Sequence, residues 1–194
     1  EIEREELRSA GIRLAASAMA VIRGVVGFLA FMLAFDFKNT DAPLWQLGAV
    51  AGSAQVGFFL GAVTAPSLRR VATEERMLMG NLGATAVAGT LCAFLGGLPG
   101  AMLLSLLVGL TSSASKQAFD AIVQRDAPDA NRGRSFARFE TRFQLVWVVG
   151  ALVPIVVPIP EVAGFVAIAA VSAFAAGSYA IGQWRIRLGR APSA

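Results

Sequence analysis

The lysines and arginines of this chain fall between long apolar runs, and that alternation leaves few folds open to it. Six stretches are long and apolar enough to cross a bilayer: roughly 15–35, 44–65, 77–96, 99–119, 143–159 and 162–184. About 20 apolar residues span the ~30 Å hydrocarbon core, and the first, second, fourth and sixth stretches reach that length unaided. The third carries Asn81, and the fifth is the shortest and holds Pro154 and Pro158. Arg4, Arg8 and Arg13 precede the first span, and Arg69, Arg70 and Arg76 lie around the second connection. Lys116, Arg125, Arg132, Arg134, Arg138 and Arg142 surround the fourth, and Arg185, Arg187 and Arg190 follow the last span. The other three connections carry only Lys38. Positive charge concentrates on the cytoplasmic side of membrane proteins. The expected arrangement is therefore an all-α, multi-pass protein of the inner (cytoplasmic) membrane, with both ends of the chain in the cytoplasm.

Composition agrees. Apolar residues make up 56% of the chain and charged residues 15%, whereas a soluble domain carries about a quarter charged residues. Mean hydropathy is +0.63. The pI near 10.2 does not imply nucleic acid, because the cations are divided among four segments and form no continuous basic stripe. The chain has no histidine and a single cysteine, Cys92. That removes most zinc sites, haem ligation, Ser–His catalysis and any internal disulfide, so neither an enzyme, a metal site nor a cofactor is expected. Cys92 reads as a small packing residue.

Residues 1–14 read as a charged, helical cytoplasmic lead-in, 15–184 as the transmembrane domain and 185–194 as a cytoplasmic tail. The lead-in lacks the apolar core of a signal peptide, and a chain opening on Glu1 is expected to be a fragment of a longer protein. The connections near 97–98 and 160–161 are so short that each joins neighbouring antiparallel helices. In the long basic connection, Pro128 is expected to end the preceding helix and Asp129 or Asn131 to cap a helix over 135–144 that runs into the fifth span.

Small residues mark close helix contacts in lipid. Gly48 with Gly52, Gly57 with Gly61, and Ala169, Ala173 and Gly177 have that spacing. Gly57, Gly61 and Pro66 in the second span, and Gly150 and Pro154 in the fifth, also suggest matched hinges in two inverted three-helix repeats. Among polar residues at membrane depth, Arg23 is the most expensive and should face a protein interior or watery cavity, or snorkel to the near surface. No acid is seen at its depth to neutralise it. Gln55, and Thr111, Ser112 and Ser113, complete the set of candidate ligand contacts; Lys116 and Asp120 have the spacing of a helical ion pair.

Three segments carry a family resemblance. The lead-in 1–13 resembles the charged central loop of the major facilitator superfamily. The run 61–70, from Gly61 through Pro66 to Arg69 and Arg70, resembles the second copy of its Gly/Arg loop motif, without that motif's Asp. Residues 128–135, followed by Gly150 and Pro154, resemble the connection between its tenth and eleventh helices. The chain as a whole resembles the C-terminal six-helix half of such a transporter.

That resemblance implies a secondary active transporter moving a small organic solute across the membrane by alternating access, with proton-coupled efflux one form of that activity. It implies a missing N-terminal half, or a second subunit, as partner within the bilayer. The first and fourth helices would line the cavity, the second and fifth would flank it, and the third and sixth would face lipid. Arg23, Gln55, Thr111, Ser112 and Ser113 then become substrate-cavity residues, and Arg69, Arg70, Arg132 and Arg134 a cytoplasmic gate. The alternative is a stand-alone six-helix channel or permease subunit acting as an oligomer, although no paired Asn-Pro-Ala signature or selectivity filter is present.

Overall fold

A computed structural model describes residues 2–126 and 132–188, with side chains described from Ala10 to Asp126 and from Phe136 to Leu188. The six expected helices are all present: α1 (Ile2–Asn39), α2 (Leu44–Leu68), α3 (Glu74–Leu95), α4 (Gly97–Asp126), α5 (Arg132–Val156) and α6 (Glu161–Leu188). Each contains a stretch long and apolar enough to cross a membrane, which defines an all-helical protein of the multi-pass membrane class.

The ends follow local chemistry. Helix α1 stops at a Schellman-type turn in which the Ala42 N–H donates to the Phe37 carbonyl (2.9 Å) and Asp41 takes φ +50°. Thr73 caps α3 through its hydroxyl, which accepts from the Arg76 N–H, and Glu74 and Glu75 complement the positive end of that helix. The α3–α4 corner is tighter than expected. Gly96 and Gly97 adopt φ +62° and +57°, where a side chain would be strained, so Gly96 alone separates α3 from α4.

Each helix is longer than the span expected for it. Helix α1 extends to Asn39, which places Arg23 about 24 Å from that end at ~1.5 Å per residue. Helix α5 begins at Arg132 and ends at Val156, because Val157 precedes Pro158 and is pushed out of helical geometry. The helix expected over 135–144 is thus the first part of α5, which starts three residues earlier, at Arg132. The proposed caps Asp129 and Asn131, with Pro128, lie outside the described residues.

Packing follows a simple exchange. Helix α1 packs on α5, and α4 on α2; α1 packs on α6, and α4 on α3; α1 meets α4, and α3 meets α6. Swapping α1, α2, α3 for α4, α5, α6 reproduces these pairings. Helices α1 and α4, which exchange, run in opposite directions.

Glycines set both outer pairs. A Cβ on Gly57 or Gly61 would overlap the carbonyl of Leu106 or Leu110, and one on Gly109 the carbonyl of Ala54. A Cβ on Gly27 would overlap the Trp147 carbonyl, and one on Gly150 the Gly24 carbonyl. Gly48 and Gly52 do not join them, having open space around them. Five residues separate Gly52 from Gly57, a rotation of about 140° that turns the first pair off the α4-facing stripe. On α6, Ala169 abuts Gly89 of α3, but Ala173 and Gly177 are exposed. A strict four-residue repeat drifts about 40° per step around a helix with 3.6 residues per turn.

Two apolar layers form the core. One, toward the Arg-rich end, centres on Met19, Ile22, Leu78, Phe119, Phe143 and Tyr179. The other holds Met32, Leu33, Leu104, Phe165, Ile168 and a fully buried Cys92. Helices α1, α3, α4 and α6 supply most of both. Helices α2 and α5 lie outside, with only 17% of each apolar stretch buried against 56% for α4.

Candidate functional site

Four charged side chains meet where α1, α4 and α5 converge. Gly24, Gly27 and Gly150 let α1 and α5, which run parallel, approach backbone to backbone. The Arg23 side chain then reaches along α5 toward the Arg-rich end and lies 3.7 Å from Glu140. Lys116 of α4 lies 3.4 Å from the other Glu140 oxygen and donates to Asp120 at 2.7 Å, one turn further on. Glu140 also accepts from Gln144 at 3.3 Å. These groups are partly exposed: 19% for Arg23, 26% for Lys116, 31% for Asp120 and 42% for Glu140.

Arg23 thus has a counter-charge within this chain, contrary to expectation. Glu140 lies in the helix expected over 135–144, ahead of the fifth span's expected start at 143, and so not at the depth of Arg23. The signal was there in the aromatic stripe Phe136, Phe139, Phe143 and Trp147, which has helical spacing. Phe139 and Phe143 stack on each other and meet Phe119 of α4 edge-on, fixing the α5 rotation that turns Glu140 inward. Lys116 and Asp120 form the expected pair, but as part of this larger cluster and not as an isolated surface bridge.

The remaining candidates are dispersed. Thr111, Ser112 and Ser113 are buried on α4. The Thr111 hydroxyl lies 3.0 Å from that of Thr85 and 3.0 Å from the Leu107 carbonyl, and the Asn81 amide donates to Ser115 at 2.8 Å. These groups form a polar seam joining α3 to α4. Gln55 lies near the middle of α2 and points outward among Val56, Phe58 and Phe59, away from both Arg23 and the seam. Gln117 of α4, which had not been singled out, donates to the Ala62 carbonyl of α2 at 2.9 Å.

A second cluster ties the Arg-rich ends together. Arg69 pairs with Glu74 at 3.3 Å, and Arg125 pairs with Glu74 (3.2 Å), Glu75 (2.6 Å) and its neighbour Asp126 (3.0 Å). Arg125 had been counted only for its charge, yet it ties the end of α4 to the start of α3. Arg70 is exposed beside this cluster. The Arg132 and Arg134 side chains lie outside the described ones. Pro66 is exposed near the end of α2, whereas Pro154 is buried in the last turn of α5.

At the opposite end, Asp36, Asn39, Pro154, Pro158 and Pro160 line a recess of about 320 Å³. Nearby, one Glu161 oxygen is buried without a hydrogen-bond partner among the described residues.

No family model matches this chain, and no solved structure matches it. It is 29% identical over 153 residues to an uncharacterized protein of Mycobacterium leprae (strain TN), ML2143, across 77% of this chain and 26% of that protein. The chain therefore spans about a quarter of the length of the curated relative it matches.

Proposed function

We propose that this chain is the C-terminal six-helix half of a major facilitator superfamily secondary transporter, moving a small organic solute by alternating access. The observation that carries it is the exchange of packing partners between oppositely directed α1 and α4, with α1–α5 and α4–α2 each closed by glycine contacts. Inverted repeats built this way supply two equivalent conformations by rocking around a central site. The Arg-rich end is then cytoplasmic and the membrane is the inner one. Arg69, Glu74, Glu75 and Arg125 act as the cytoplasmic gate cluster, and Arg70, Arg132 and Arg134 belong to the same face. Arg23 and Lys116 carry the cavity charge.

Gln55 supports a covered or watery face on α2, since a mid-helix amide directed at lipid tails leaves its hydrogen bonds unmet. The same exposed faces of α2 and α5 would also serve a second copy, which is the arrangement a six-helix channel or permease subunit requires. In the transporter, those faces border the aqueous cleft shared with the N-terminal half.

Counterflow separates the two. Vesicles containing the intact protein and preloaded with candidate organic solutes should accumulate labelled solute transiently, as a carrier does. Flux that neither saturates nor shows counterflow would fit the channel and contradict the transporter.

A further inference from the structure

We propose that Arg23 and Lys116 form a binding site for the carboxylate of a small organic anion, and that Glu140 fills this site as a tethered stand-in when no anion is bound. That the bound anion is the transported solute rests on the transporter function proposed above.

Arg23 is under-used where it stands. A guanidinium offers five N–H donors in a planar fork suited to a carboxylate. Its Glu140 partner is 3.7 Å away, beyond hydrogen-bond range, and its Nε is buried with no partner among the described residues. Lys116 is held differently. Asp120 grips it at 2.7 Å, and Glu140 adds a looser contact at 3.4 Å. Glu140 is therefore the shared, weakly held and most exposed member, with 42% of its side chain uncovered by this chain. Asp120 stays with Lys116 throughout.

The cluster has two cations and two carboxylates, so an entering anion keeps the balance only by displacing one carboxylate. Glu140 is the one that can turn outward. The class of ligand follows from the stand-in: a carboxylate spanning two cations from α1 and α4, the helices that exchange in the repeat. A ligand carboxylate free to orient would meet Arg23 in bidentate fashion, which the tethered one does not.

The intact protein in detergent, titrated with benzoate and its neutral isostere benzamide, provides the test. Benzoate should raise the melting temperature and benzamide should not. Glu140→Gln removes the competitor, so benzoate affinity should rise by about tenfold or more, the factor by which an occupied site lowers apparent affinity when it is free only a tenth of the time. Arg23→Gln should abolish binding. If Glu140→Gln does not fold, Glu140→Asp, with a shorter reach, should still tighten benzoate binding. Unchanged or weaker benzoate affinity in the folded Glu140 variants, or equal effects of benzoate and benzamide, would overturn the site. Benzoate binding without benzoate counterflow would support the site and count against the transport role. Counterflow of another solute with no benzoate binding would overturn the site and leave the transporter intact.

Discussion

The guanidinium of Arg23 is the costliest group in the apolar part of α1, and its surroundings show how a chain accommodates such a charge. Placing a cation at the centre of a bilayer costs a few kcal/mol on insertion scales. Here the side chain both turns toward the Arg-rich surface and meets a carboxylate, so pairing and snorkelling act together. Arg23→Ala should leave the protein inserted and abundant while lowering solute transport about tenfold or more, a barrier change of ~1.4 kcal/mol. Transport at the parental rate, measured at matched protein levels, would remove Arg23 from the pathway. The position of Arg23 as a problem residue was legible in the sequence, but its solution was not. Glu140 acts at a distance set by the parallel approach of α1 and α5, which depends on glycines whose partners no single-chain pattern names. Thr111 shows the reverse case, since this polar residue at the right depth bonds Thr85 of a neighbouring helix.

At the scale of elements, helix contacts depend on which glycines share a face. Gly57 and Gly150 sit where a Cβ would overlap a neighbouring carbonyl, whereas Gly48 has open space. Gly57→Leu and Gly150→Val should each destabilise by about 1–3 kcal/mol or more, the usual cost of overpacking, while Gly48→Ala should be nearly neutral. Thermal unfolding in detergent measures this, and equal melting temperatures for all three variants would contradict the packing. Spacing alone did not separate these sites. Gly48–Gly52 and Gly57–Gly61 look alike in sequence, and only the five-residue offset between them decides which pair touches α4. The Arg125 cluster is partly exposed, so Arg125→Ala should cost no more than ~1 kcal/mol of global stability. Its effect should appear locally, as faster amide exchange around the α2–α3 turn and the last turn of α4. Protection equal to that of the parent would show that the cluster does not hold those ends together.

For the whole molecule, the number and order of helices follow from hydropathy and charge, because apolar length and basic flanks are properties of contiguous sequence. The exchange of packing partners between the two triplets is not. It emerges from long-range contacts, with only Gly57, Gly61, Pro66, Gly150 and Pro154 hinting at it beforehand. What the bundle leaves uncovered is as informative as what it buries. Helices α2 and α5 expose broad apolar faces, and on α2 that face carries Gln55. The transporter function requires this face to border an aqueous pathway that opens alternately to the two sides.

The most direct test is a single cysteine at Gln55, in a Cys92→Ala background, probed with a membrane-impermeant maleimide from each side of sealed vesicles holding the intact protein. Alternating access predicts labelling from both sides, with solute raising one rate and lowering the other. A cysteine unreactive from both sides, with and without solute, would place the α2 face in lipid and contradict the transporter.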